Sequence, residues 1–213
     1  MGPPRSKVEV KAKEAHYYDF FLDAVSLGLY TNFIKKAVRS MDIEPGQSVL
    51  DLGSGTGKND CFILRKTGPE GKIVGLDISQ EMLSLSRKRC QSSPNVLFQE
   101  RRIDSPLEYY EDFDNVFISF VLHGFENDQK TVIIDNAYKA LKPGGAFYVL
   151  DYNEFDLNGL WFPLRFVFIH GECLLAREFL KLDLKKMLSE HLFKTFEEKL
   201  FFRGRLRLLK AIK

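Results

Sequence analysis

The stretch Val49-Leu50-Asp51-Leu52-Gly53-Ser54-Gly55-Thr56-Gly57 constrains this chain more than any other. A short apolar strand runs into glycines at alternate positions, and a helix-like segment, Lys58 to Lys66, follows. Glycine lets the backbone turn tightly and lets a ligand approach without meeting a Cβ, while the first turn of a helix offers unpaired N–H groups. Strand, glycine loop and helix in that order belong to a mostly parallel sheet crossed by helices, so the fold class is α/β. A dinucleotide fingerprint needs Gly-x-Gly-x-x-Gly, but here Lys58 stands where the third glycine would fall. The loop therefore suits a nucleotide-like ligand better than a pyrophosphate.

The rest of the chain alternates in the same way. Apolar positions at helical spacing predict two helices within Val8 to Met41, broken near Gly28. Strands are expected at Ser48 to Leu52, Lys72 to Asp77, Val96 to Arg101, Asn115 to Phe120 and Gly145 to Asp151. Ser79 is the expected N-cap of a helix reaching about Cys90, and a further helix over Lys130 to Leu141 ends at the turn Lys142-Pro143-Gly144-Gly145. The apolar run from Leu157 to Leu180 is too long for a plain hairpin. A helix from about Lys181 to His191 and two strands, Thr195 to Phe202 and Arg205 to Ile212, close the chain. The 31 Lys plus Arg and 29 Asp plus Glu nearly cancel, which disfavours nucleic-acid binding driven by phosphate neutralisation. The three cysteines, Cys61, Cys90 and Cys173, are far apart in sequence and without metal-ligand spacing, so no metal and a reducing compartment are expected. Neither a signal peptide nor a membrane span is apparent, and the expected location is cytoplasmic.

Asp77 closes the second strand about twenty residues beyond the glycine loop, where a carboxylate can accept hydrogen bonds from both hydroxyls of a ribose. With that pairing of loop and acid, the chain resembles the class I S-adenosylmethionine-dependent methyltransferases over about Ala15 to Asp151 and the closing strands. The resemblance implies a Rossmann-like three-layer sandwich with a seven-stranded, mostly parallel sheet and an antiparallel last strand. It divides one domain into a helical cap (1–44), a cofactor-binding core (45–151) and a substrate-side segment with the closing strands (152–213). It also implies S-adenosyl-L-methionine as cofactor: Asp51, Gly53, Ser54, Gly55 and Gly57 would line its methionine part, and Asp77 would hold its ribose. Ile78 and Met82 would pack on adenine, Asp104 would bind the adenine amino group with Ser105 next to it in the cofactor site, and Ser119 would stand near the sulfonium. Tyr18 would close over the cofactor, where an aromatic face attracts a sulfonium. Tyr17-Tyr18-Asp19, Ser26-Leu27-Gly28-Leu29, Phe120-Val121-Leu122-His123 and Ala140 to Gly145 are similar to the ubiquinone/menaquinone biosynthesis C-methyltransferases. Trp161 to Leu180 follows a pattern of its own.

Methylation at an aromatic carbon ortho to a phenol gains from deprotonating that phenol, so a general base is sought at the sheet edge. His123, after the fourth strand, is the first candidate for it; Asp151 and Tyr152, after the fifth, are the next for substrate contact, followed by His170 and Glu172. The aromatic run Trp161 to Ile169 is read first as buried lid packing, and otherwise as a roof over a lipophilic substrate or a contact with a membrane surface. Lys181, Lys185, Lys186, Arg203, Arg205 and Arg207 are read as a solvated basic face. The function expected is methyl transfer to a small or lipophilic acceptor, sharpest as a quinone-precursor C-methyltransferase. The alternatives are an N- or O-methyltransferase of small molecules or lipid head groups, and a non-catalytic cofactor-binding subunit. No nucleic-acid partner is expected, and the sequence leaves the oligomeric state open.

Overall fold

The computed structural model describes residues 29–213, apart from the side chains of Pro163, Leu164, Val167 and His170. The first of the two expected N-terminal helices, Tyr18 and the His170 side chain lie outside what is described. The second helix is α1 (Leu29–Arg39), whose Phe33, Ile34, Ala37 and Val38 form one buried stripe. Then follow β1 (Ser48–Leu52), α2 (Lys58–Thr67), β2 (Lys72–Asp77), α3 (Gln80–Arg89), β3 (Val96–Glu100) and β4 (Phe113–Ser119). After a single 3-10 turn, Leu122–Gly124, come α4 (Asn127–Ala140) and β5 (Leu141–Tyr152). The C-terminal part holds α5 (Phe162–Gly171), α6 (Leu174–Phe179), α7 (Leu184–Glu190), β6 (Thr195–Phe201) and β7 (Leu206–Ile212).

The strands form one sheet in the order β3-β2-β1-β4-β5-β7-β6. β7 pairs antiparallel with both β5 and β6, and the other pairings are parallel, which is the topology expected. Because successive side chains of a strand face opposite ways, each central strand feeds two cores. Leu50, Leu52, Val116, Ile118, Phe147 and Val149 pack against α4, α6 and α7. Val49, Ile73, Phe117, Tyr148 and Leu150 pack against α1 and α2. A strand buried on both faces reads as an unbroken apolar run, and so β1, β4 and β5 were visible in the sequence.

Several boundaries differ from expectation. α4 begins before Lys130 because the Gln129 side chain reaches back to accept the Glu126 N–H at 3.0 Å, closing the first turn. Lys142 to Gly145 do not form a free turn: the chain enters β5 at Leu141, directly after α4, and these residues sit in the strand beside a register shift against Phe113 and Asn115. Gly144 has φ of +79°, which lets the strand absorb this irregularity. The apolar stretch after Leu157 folds as two helices, α5 and α6, and α7 starts late because Asp183 caps it, accepting the Lys186 N–H at 2.9 Å.

Candidate active site at the carboxyl edge of the sheet

Two groups of residues meet at the carboxyl ends of the central strands, the edge where open α/β sheets bind ligands. The first surrounds the glycine loop. The N–H groups of Gly53 and Ser54 both donate to the Leu76 carbonyl, at 2.8 and 2.9 Å, which ties the loop to the end of β2. Gly53 has φ of +83°, and a Cβ there would lie 2.7 Å from the Val121 side chain, so this position admits glycine alone without displacement. Gly55, also at positive φ, faces open space, and its N–H donates to Asp77 Oδ2 at 2.8 Å. Gly57 is the left-handed N-cap of α2.

Asp77 also accepts the Ser79 N–H at 2.9 Å. Burial pushes its carboxyl above the ordinary range, against the pull of the Ser79, Gly55 and Ile78 N–H groups. Met82 is buried on α3 and Ile78 is half-buried. Asp104 is engaged by Arg102, through a bidentate pair at 2.9 and 3.1 Å, and by Gln129 at 2.9 Å. The Ser105 carbonyl accepts from Asn136 at 2.8 Å, and Ser119 is buried at the end of β4.

Asp51 is wholly buried, and no donor group of another residue reaches either of its carboxylate oxygens. Asp60, on the buried stripe of α2 with Ile63 and Thr67, is in the same condition, as is the Ser54 hydroxyl. Buried oxygens without donors are costly, and a ligand bearing N–H or O–H groups removes the cost. An amino acid joined to adenosine would fit this need, with an ammonium to donate at Asp51 and a ribose diol to donate at Asp77. Asp60 had drawn no attention in the sequence, although an acid three and seven residues before buried partners on one helical face was a legible signal.

The second group lies across β4 and β5. Phe120 adopts φ of +53° just past β4, and the chain turns so that His123 faces Asp151 at the end of β5. His123 Nδ1 lies 2.7 Å from Asp151 Oδ1, and the His123 N–H donates to Asp151 Oδ2 at 3.2 Å. Nδ1–H therefore points to Asp151, leaving Nε2 to accept a proton. Nε2 stands 3.8 Å from Glu172, whose other oxygen accepts the Tyr152 hydroxyl at 2.7 Å. Burial opposes a charge on the imidazole, but the Asp151 carboxylate outweighs it with help from Glu172, so His123 titrates above its usual 6.5. Tyr152, Phe179, Phe120 and Phe168 supply aromatic walls, with the His123 and Tyr152 ring centres 5.0 Å apart. The structure thus brings His123, Asp151, Tyr152 and Glu172 together. At the start of α5, Trp161 and Phe162 remain 72% and 75% exposed.

One expectation fails. Arg207 does not belong to a solvated basic face: it is 1% exposed, opposite Asp151 in the ladder, and donates to Glu154 at 2.9 Å, while Lys185 pairs with Glu198 at 2.9 Å. A strand that alternates between faces turns Arg207 inward together with Leu209 and Ala211. Cys61 and Cys90, 29 residues apart, lie with their sulfurs 3.0 Å from each other where α2 meets the end of α3.

A family model described as a methyltransferase domain matches residues 43–196. The ubiquinone/menaquinone biosynthesis C-methyltransferase of Xanthomonas campestris pv. campestris is 32% identical over 157 residues, 72% of this chain and 60% of that protein. The enzyme of the same name from Hydrogenovibrio crunogenus is 31% identical over 140 residues, 64% of this chain and 54% of that protein. The chain thus spans between half and two thirds of the length of these relatives. The crystal structure of a SAM-dependent methyltransferase from Aquifex aeolicus superposes with a TM-score of 0.65 at 14% identity, covering 84% of this chain and 89% of the other, a likeness of fold. Among the described residues no helix is long and apolar enough to cross a membrane.

Proposed function

Since the chain belongs to the class I S-adenosylmethionine-dependent methyltransferase family, we propose that it methylates a ring carbon of a small, lipophilic hydroxylated aromatic, of the kind found in reduced quinone precursors. The observation that carries this reading is the His123–Asp151 pair, set among aromatic rings at the carboxyl edge of the sheet. The names of the relatives, C-methyltransferases of quinone biosynthesis, point the same way.

In this reading the glycine loop and Asp51 hold the methionine end of the cofactor and Asp77 holds its ribose. Ile78, Met82, Asp104 and Ser105 border the adenine, and Ser119 lies toward the sulfonium. When bound, S-adenosylmethionine supplies an electrophilic methyl group. The chain's own task is to align the acceptor, exclude water and take up a proton. A phenolic hydroxyl presented to His123 gives its proton to Nε2, and the imidazolium is stabilised by Asp151 on one side and Glu172 on the other. The resulting phenolate would raise electron density on the adjacent ring carbon, where the bond to methyl would form as the methyl–sulfur bond breaks with its electron pair left on sulfur, and the ring carbon's own proton would pass to solvent as aromaticity returns. Tyr152, whose hydroxyl donates to Glu172, keeps that carboxylate aimed at the imidazole. General-base help of this kind contributes about 10²- to 10⁴-fold, and alignment about 7–11 kcal/mol. The aromatic residues at the start of α5 give a lipophilic acceptor an apolar approach.

The deciding experiment incubates the purified chain with S-adenosylmethionine and a demethylated quinol, with a catechol and a primary amine as competing acceptors. A new ring C–CH₃ group, seen by NMR of the product, is expected. Methyl carried on oxygen or nitrogen overturns the carbon assignment, and cofactor binding without transfer to any acceptor favours a regulatory subunit.

A further inference from the structure

The acid pair behind the glycine loop has a chemistry of its own, independent of which acceptor is methylated. Asp51 is the penultimate residue of β1, two residues before Gly53, and Asp60 stands three residues after Gly57 in the first turn of α2, so the glycine loop is bracketed by two carboxylates. Both side chains are 0% exposed, no donor group of another residue reaches any of their four oxygens, and the two carboxyls lie within hydrogen-bond reach of each other. The buried Ser54 hydroxyl, on the loop between them, has no hydrogen-bond partner. Two ionised carboxylates so placed would repel each other in a medium that screens poorly, and one shared proton is the ordinary remedy.

We propose that Asp60 is a second carboxylate of the cofactor site, and that Asp51 and Asp60 together receive the ammonium of the cofactor's amino-acid end while releasing the proton they share. The ammonium brings a positive charge and three N–H donors to a place with unsatisfied acceptors. Once it is present, both acids are favoured as carboxylates. The proton leaves to solvent, and no covalent bond changes. The electrostatics of the pair agree with this account. Burial, then Asp60 and Asp77, push Asp51 well above the ordinary carboxylate range. Burial and Cys61 push Asp60 up to about 7, against the opposing pull of Asp51 and Arg89. The charged and titratable groups facing the pair are therefore Asp77 on β2, Cys61 on α2 and Arg89 on α3. A pair with one member titrating near neutrality is poised to lose its proton when a cation arrives.

The proposal rests on S-adenosylmethionine as cofactor and is tested by calorimetry with two ligands that need no turnover. S-adenosylhomocysteine keeps the ammonium; 5′-methylthioadenosine keeps the adenosine and sulfur but has no amino-acid end. Titrations at pH 7 in two buffers of different ionisation enthalpy count the protons released. We expect between about 0.5 and 1 proton released with S-adenosylhomocysteine and none with 5′-methylthioadenosine. Affinity for S-adenosylhomocysteine should rise between pH 6 and pH 8, by up to about tenfold per pH unit. Asp60→Asn should abolish the proton release, flatten that pH dependence and weaken S-adenosylhomocysteine roughly tenfold, leaving 5′-methylthioadenosine affinity unchanged. Proton release persisting in Asp60→Asn, or equal release with both ligands, overturns the proposal. If Asp60→Asn no longer binds 5′-methylthioadenosine, the wild-type proton count decides alone, and a count of zero overturns it. Failure of the wild-type chain to bind either ligand would instead strike the cofactor assignment itself.

Discussion

A histidine taken out of water ordinarily loses its charge, because burial favours the neutral ring. His123 does the reverse, since Asp151 at 2.7 Å and Glu172 at 3.8 Å overcome burial. A base must be unprotonated to act, so kcat/KM should fall toward acid with a limb above 6.5. Asp151→Asn should move that limb to lower pH, and a pH–rate profile unchanged in this variant would remove the pair from the mechanism. His123→Ala should lower kcat by about 10²- to 10⁴-fold while leaving S-adenosylhomocysteine affinity within twofold. Gly53 makes a different demand. A Cβ there would be placed in a left-handed backbone at a cost of about 1–2 kcal/mol and would strike Val121 at 2.7 Å. Val121 is two residues before His123, so Gly53→Ala should weaken S-adenosylhomocysteine binding and lower kcat together. Calorimetry and turnover measured on one preparation check this, and loss of either property alone contradicts it.

At the scale of elements, α2 and α3 are joined by a contact that only folding reveals. The hydrogen bond from Cys90, then Arg89 and Arg65, lower the Cys61 thiol to about 7 against burial, while Cys90 is pushed up by the same contact. Cys61 is half-buried, whereas Cys90 and Cys173 are 6% and 0% exposed. Brief alkylation at pH 7.5, mapped by mass spectrometry, should therefore mark Cys61 first; earlier marking of Cys173 would contradict the arrangement. This contact also shows where sequence reading stops. The strands were legible because burial on both faces leaves apolar runs between turn residues, and Gly53 to Gly57 with Asp77 located the carboxyl edge of the sheet. Partners separated by 28 residues, such as His123 and Asp151, were legible only as two strand ends, because nothing local encodes their distance. Glu172 reached the site through α5 and α6, helices hidden in an apolar run that lacks a polar face to mark its period. Arg207 was read as a solvated charge, and Asp60 was passed over, because the inward faces of β7 and α2 emerge only on folding.

For the whole molecule, the buried acids and the histidine of the sheet edge act in one direction near neutrality, and Cys61, lowered to about 7, opposes them only above that value. Asp51, Asp60 and Asp77 are raised above their ordinary 3.8, so the folded state binds more protons than the unfolded chain. Their contribution is complete below that value and is lost as pH climbs through the folded values, about 7 for Asp60. His123, raised above 6.5, likewise stabilises below 6.5 and ceases to do so as pH passes its folded value. Asp114, lowered because Lys142 and Ser48 outweigh its burial, works oppositely, but its contribution is lost only as pH falls below 3.8 and has no part here. The ligand-free chain should consequently melt at a higher temperature at pH 6 than at pH 8. S-adenosylhomocysteine at a hundred times its Kd adds about 2.7 kcal/mol, or roughly 5–10 °C in Tm for a chain of this size. If its binding grows stronger toward alkaline pH, the ligand should raise Tm more at pH 8 than at pH 6 at one fixed concentration and so flatten the profile. Differential scanning fluorimetry across that range tests both parts. A ligand-free Tm that rises toward pH 8 would mean that the buried acids at the sheet edge do not hold their protons in the folded protein.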